Sequence, residues 1–267
     1  RPTVDPRLPR RRRAGRLAVV AGRRTRTRPR IPPHPADRHG CRRTGLGLAA
    51  DWRTPPEDPA SARLGESLWE FLPRSVSGGF RSAIRLERAR LARRELGWWS
   101  VHNHILQAWS MTVVLFGGLM LAFGVRILPY LLLQAVIGVM LLETVNYVEH
   151  YGLLRERRPS GRYRRCSPRD SWNSDRLVTN IFLFHLQRHS DHHANPGRRY
   201  QTLRSSQQAP QLPAGYATMI LLAAVPPLWR KVMDPRVLAH YDGDITRANI
   251  APRRRVRLLA RHGVPAT

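Results

Sequence analysis

The sequence contains one lysine, Lys231, although Lys and Arg together number 46 against 18 Asp and Glu. Its formal charge of +28 is therefore an arginine charge. Arginine bias of this kind accompanies GC-rich coding sequence, so it argues only weakly for a nucleic-acid partner. Cysteine is almost absent. Cys41 and Cys166 form no CxxC, which excludes a disulfide framework and a thiolate metal site and fits a reducing compartment. There is no HExxH of a zinc protease, no haem-attachment motif, no internal repeat and no heptad seam. The N-terminal residues lack the apolar core and small-residue cleavage site of a secretory signal, and their Arg-rich, acid-poor character is only superficially like a transit peptide.

What the sequence does have is uneven. Residues 1–53 are Arg, Pro, Ala and Gly with little else, and no helical or strand period survives the prolines, so a disordered arm is expected, with an RNA-binding tail as the alternative. The character changes at Thr54. Leu64, Leu68, Trp69, Phe71 and Leu72 mark an amphipathic stretch. Residues 81–96 set Ile84, Leu86, Leu91 and Leu96 among arginines, which suits a helix at an anionic membrane surface or a solvated helix of a soluble bundle.

Residues 105–125, "ILQAWSMTVVLFGGLMLAFGV", carry no charge, and about twenty such residues match the hydrocarbon thickness of a bilayer. After Arg126, residues 127–148 carry only Glu143 and should span back. Two spans joined by so short a turn form an antiparallel hairpin whose outer ends share one side of the membrane. Trp98 and Trp99 sit where an interfacial belt would lie, and the arginines at 81–94 and 155–165 place both flanks in the cytoplasm. Residues 177–186 are apolar but too short to cross, and residues 212–229, ending at Pro226-Pro227, enter only partway. The expected fold is thus all-α, an integral membrane helical bundle with a transmembrane hairpin and cytoplasmic helices. Residues 1–53 are its disordered arm, 54–254 the membrane domain and 255–267 a basic tail.

Within "NIFLFHLQRHSDHH" the histidines fall at 185, 189, 192 and 193, a spacing that makes one stripe if the segment is a single helix. Neutral imidazoles so aligned can share a transition metal. The plain alternative is a polar face, but a surface helix has no reason to gather four histidines beside an apolar run. His150, in "NYVEHYG", closes the second span at the same boundary and can reach the same ion; alone it would be an interfacial anchor. Glu149 and Asp191 are possible carboxylate partners for an imidazole N–H, as is Glu143, with a salt bridge or snorkelling as the duller reading. His102 and His104 look interfacial, and His34, His39, His240 and His262 have no partner at ligand spacing. A histidine-only set favours non-haem iron acting on oxygen, and spans leading to it would let an apolar substrate arrive through the lipid.

The stretches "TPPEDPASARLGESLWEFLPRSV", "LLETVNYVEHYGLLR", "LQRHSDHHANPGRRYQTLRS", "LPAGYATMI" and "MDPRVLAHYDGDITRANI" resemble the integral-membrane alkane 1-monooxygenases, relatives of the membrane fatty-acid desaturases, over about residues 54–254. The resemblance implies a di-iron centre and terminal hydroxylation of medium- or long-chain alkanes with dioxygen. It also implies electrons from rubredoxin, and a bacterial inner membrane with the metal facing the cytoplasm. His150, His189, His192 and His193 match ligand positions, and the resemblance implies that His185, one turn earlier, sits behind a ligand or beside the substrate. The family's two earlier motifs, of the forms HELGHK and EHNRGHH, find no match. Where the second should lie the chain reads "DRHGCRRTGLGLAADWRTPPEDPAS". Residues 1–53 are accordingly expected to be out of frame or unrelated, and four imidazoles cannot saturate two irons that each take five or six donors. The rivals are an acyl-lipid desaturase or hydroxylase, and a non-catalytic basic protein binding membrane lipid or, less readily, nucleic acid.

Overall fold

The computed structural model describes residues 58–265 apart from 157–158, 160–162, 165 and 196, so the expected arm lies outside the described residues, as do His34 and His39. Among the described residues the secondary structure is helical, with two isolated parallel bridges, Leu64 to Ile250 and Asn173 to Gln211, and no strand.

Helix α1, Leu68–Ala92, starts at a capping box in which Ser67 accepts from the Glu70 amide and Glu70 accepts from Ser67. The two amphipathic stretches expected on either side of Pro73 form one helix of 25 residues. Pro73, the sixth helical residue, removes the one i→i−4 hydrogen bond it would have made to Trp69, and the helix runs through it. Its apolar face buries Leu68, Phe71, Leu72 and Leu91 while the arginines face out, apart from a buried Glu87–Arg90 ion pair. Gly78 is required on the way, because a Cβ there would lie 2.5 Å from Cβ of Pro59.

The joint to the next helix is electrostatic. Glu87 accepts from the His104 amide at 2.7 Å and from both Nε and Nη2 of Arg90, and Arg90 also donates to the His102 carbonyl. Asn103 caps helix α2, His104–Phe123, through Ile105 N and Leu106 N. Gly124, at φ +82°, and a 3-10 turn at Val125–Ile127 reverse the chain into helix α3, Leu128–His150. At 1.5 Å per residue these helices are about 30 and about 35 Å long, against about 30 Å of bilayer hydrocarbon. Both are long and apolar enough to cross a membrane. No residue of α2 is buried, and α3 is buried only from Thr144 onward; Val113, Leu121 and Leu133 point outward. Contiguous bare apolar surface of this extent marks a protein or membrane contact.

The core sits where α3 ends. Tyr147 and Tyr151, one turn apart, pack against Phe71 of α1 and Trp229, with ring centroids 5.0 to 5.4 Å apart. Burying each such ring stabilises the fold by about 1.5–3 kcal/mol. The phenols are satisfied: Tyr147 donates to Glu66 O, and Tyr151 donates to Asp234 and accepts from Gly65 N. Residues 177–186 and 189–194, expected as one helix, form two short ones, α4 (Leu177–Phe182) and α5 (His189–Ala194). The apolar run from 212 likewise breaks before its prolines into α6 (Tyr216–Ala223) and α7 (Pro226–His240). The basic tail contains α8, Arg255–Arg261, whose Leu259 is in the core.

Candidate metal centre

Position 150 is the last residue of α3, and its neighbours fix it. Glu149 O accepts from Trp172 N at 2.9 Å and from Ser171 Oγ at 3.2 Å, tying the end of α3 to residues 171–174. Asn173 in turn holds the start of α5, accepting from Ser190 N at 3.0 Å and donating to Ser190 Oγ at 2.7 Å. Two segments some forty residues apart in the chain are thereby brought face to face. Nothing in the spacing of the histidines marks Asn173 for this role, and the sequence reading missed it.

His150, His189 and His193 converge, all buried, with one ligand atom from each within 4.8 Å of the others. His150 Nε2 lies 3.3 Å from His193 Nε2, and the rings of His189 and His193 are 4.0 Å apart, edge to face. His150 Nδ1 lies 3.1 Å from the Asn146 carbonyl, so with Nδ1–H donating there, Nε2 presents its lone pair to the cluster. His192 is half-buried and its ring centroid is 6.0 Å from those of both His189 and His193. Three of the four expected ligands therefore meet in one volume, and the fourth stands at its edge.

His185 is not on their face. Helix α4 ends at Phe182, and Phe184 and His185 adopt left-handed backbone at φ +49° and +58°. The single stripe is corrected for a physical reason: Gln187 is fully buried and pulls the chain out of helix. Its carbonyl accepts from Ser174 N at 3.1 Å, and its amide side chain binds Thr179 Oγ1 and accepts from Tyr216 N at 2.9 Å. Helix resumes at His189.

Glu149 is where an orienting carboxylate is expected. It is buried, with Oε2 2.9 Å from His189 Nε2 and Oε1 accepting from the Tyr216 hydroxyl at 2.8 Å. Tyr216 is itself fully buried, and its burial together with the Glu149 carboxylate holds its hydroxyl well above the usual phenol range. It was not singled out from sequence, although "LPAGYATMI" contains it. Asp191 spends its oxygens elsewhere, on Arg198 Nη1 at 2.7 and 2.8 Å, Asn195 Nδ2 and Arg204 N. Burial alone would raise its carboxyl, and these donors outweigh it and hold it below its ordinary value. Asp191 thus pins the loop behind α5. Glu143 accepts from Ser75 Oγ and Asn146 Nδ2 and serves the packing of α1 on α3. His102 and His104 are exposed, and His240 packs half-buried against Trp172 and Tyr241.

Three imidazoles in a buried volume, with a carboxylate set to orient one of them, fit a transition-metal ion. The same chain matches the fatty acid desaturase family model over residues 50–223. It is 50 % identical over 209 residues to an alkane 1-monooxygenase of Acinetobacter baylyi, covering 78 % of this chain and 51 % of that protein. It is 52 % identical over 189 residues to alkane 1-monooxygenase 2 of Pseudomonas aeruginosa, covering 71 % and 50 %. A more distant relative, the xylene/toluene monooxygenase hydroxylase component of Pseudomonas putida, is 24 % identical over 187 residues, covering 70 % and 49 %. The chain spans about half the length of these relatives.

Proposed function

From the chain's membership of the fatty acid desaturase family, in its alkane hydroxylase group, we propose that it serves as the C-terminal part of a membrane alkane 1-monooxygenase, a non-haem iron oxidoreductase that hydroxylates n-alkanes at the terminal carbon. The observation that carries the reading is the buried convergence of His150, His189 and His193 at the end of a helix long and apolar enough to cross a membrane.

Iron, when bound, supplies the activation of dioxygen. The protein's own residues do the rest. His150, His189 and His193 are its ligands, with His192 at the edge of the group completing the set that the family resemblance implies. Tyr216 and Glu149 hold His189 in register. The packed aromatic wall of Tyr147, Tyr151 and Trp229 anchors the end of α3 that carries His150. These four imidazoles fill most of the five or six positions of one ion and cannot fill those of two.

Helices α2 and α3 act as a transmembrane hairpin. Their outer ends lie on one side, and the arginines that flank them support a cytoplasmic placement in a bacterial inner membrane. A site at the membrane edge of α3 suits an apolar substrate delivered through lipid. Rubredoxin is the electron donor that the family resemblance implies.

The test is iron per chain in detergent-purified protein against a His189→Ala, His193→Ala double variant. Retained iron in the first and its loss in the second are expected; equal traces in both would overturn the proposal. Iron-loaded protein reconstituted with dioxygen, an electron donor of the rubredoxin class, n-alkane and acyl lipid should yield the 1-alkanol, whereas oxidation of acyl chains alone would favour the desaturase reading.

A further inference from the structure

Helix α4 is inside out for a helix facing water. Its polar residues point inward: Asn180 is buried and donates to Ser174 O at 2.9 Å, and Thr179 Oγ1 exchanges hydrogen bonds with buried Gln187 at 2.7 and 2.9 Å. Its apolar residues point outward, with Leu177, Val178, Ile181 and Phe182 61–77 % exposed. A water-facing amphipathic helix has the reverse arrangement. The turn that follows spends two left-handed residues, Phe184 and His185, and leaves Phe184 outward against Tyr200, ring centroids 5.4 Å apart.

Helix α4 is joined to the long helices through α6, which also leaves apolar side chains outward. Thr179 lies against Gly215 at the start of α6, close enough that a Cβ on Gly215 would be 2.7 Å from Thr179 Oγ1. Helix α6 packs on α3 and turns Leu221 outward, with Val225 just beyond it. Six residues of helix measure about 9 Å, far short of the bilayer, so α4 cannot cross it. An arginine stands at each end: Arg176 donates to Pro213 O and Arg188 to Leu203 O, a placement suited to headgroup level.

We propose that residues 177–186 form an in-plane membrane element whose outward face, Leu177, Val178, Ile181, Phe182 and Phe184, is covered by lipid hydrocarbon. The inference rests on α2 and α3 crossing the bilayer, as proposed above. It goes further in assigning a lipid contact to the segment that leads into α5, the helix that carries His189 and His193.

Spin labels in the full chain, reconstituted in phosphatidylcholine–phosphatidylglycerol vesicles, decide it. In a Cys41→Ser, Cys166→Ser background, single cysteines replace Phe182 in α4, Val113 in α2 as the span reference and Asp242 as the water reference; all three native side chains are exposed. Collision of the label with oxygen, which concentrates in lipid, is compared with collision with a water-soluble nickel chelate. The expected result is an oxygen-to-nickel ratio at Phe182 several-fold above that at Asp242 and below that at mid-span Val113. A ratio at Phe182 equal to that at Asp242, with Val113 still in lipid, overturns the inference and leaves the spans standing. Shielding of Phe182 from both reagents means protein covers it and also overturns the lipid assignment. Nickel access at Val113 would remove the spans, and this inference with them.

Discussion

Gly152 is the most exacting position near the centre, two residues after His150. Its backbone lies in the left-handed region at φ +72°, and both of its peptide groups are committed, N donating to Ala62 O and O accepting from Asn249 N, each at 3.0 Å. A Cβ at this position would lie 2.8 Å from both Cγ1 and Cγ2 of Val237, a fully buried residue of α7. Gly152→Ala therefore costs about 1–2 kcal/mol for the left-handed backbone and about 1–3 kcal/mol for overpacking. The sum, about 2–5 kcal/mol, is a large part of the stability of an ordinary domain. The two terms are separable, because Val237→Ala opens room for the methyl group and leaves the backbone strain untouched. A cycle of wild type, the two single variants and the double, followed by unfolding in detergent through circular dichroism, should give a favourable coupling of about 1–3 kcal/mol. Iron retention should fall with Gly152→Ala and return in part in the double variant. Zero coupling, or a Gly152→Ala protein as stable as the parent, would refute the packing claimed around the end of α3.

Replacing the histidines one at a time should rank them: His150→Ala, His189→Ala or His193→Ala should abolish metal retention, whereas His192→Ala should weaken it less and His185→Ala leave it intact, as read by iron per chain. Tyr216→Phe removes only the hydroxyl that donates to Glu149, and loss of such an orienting partner should weaken metal affinity about 10- to 100-fold with unchanged helix content; affinity within twofold of the parent would show that Tyr216 merely packs. The α1–α2 joint should show an acid limit. The Arg90 guanidinium, with the His104 amide and against the opposing effect of burial, holds the Glu87 carboxyl at about 2 rather than its ordinary 4.5. Because the folded value is the lower one, this stabilisation is present above about pH 4.5 and is lost as pH falls toward 2. Glu87→Gln should therefore flatten the stability profile between those limits, and an unchanged acid limb would contradict the ion pair's role.

How far the sequence carried is seen best at α2, α3 and the histidines. Two apolar runs of bilayer length, the second carrying only Glu143, the short turn between them and the boundary position of His150 were all legible, because helix length and apolarity are local properties that any tertiary packing must respect. The family motifs were legible for the same reason, being written in consecutive residues. The stripe joining His185 to the other three was not, because 3.6-residue periodicity assumes one continuous helix. Gln187, buried by contacts to Thr179, Ser174 and Tyr216 that are distant or reversed in the chain, breaks that helix. The inverted polarity of α4 was invisible for a related reason: its apolar residues are obvious in sequence, but which way they face is set by where Asn180 and Thr179 find hydrogen bonds.

The sequence by itself determined that this chain is helical, apolar in its middle and equipped with imidazoles at one boundary. Tertiary structure alone decided which imidazoles meet. Asn173 and the Glu149 carbonyl draw two remote segments together, and the Tyr216–Glu149–His189 chain aims one ring at the other two. The physical reason is that a ligand set is a matter of a few ångströms between side chains, and those distances are fixed by hydrogen bonds between residues whose separation along the chain carries no periodic signal.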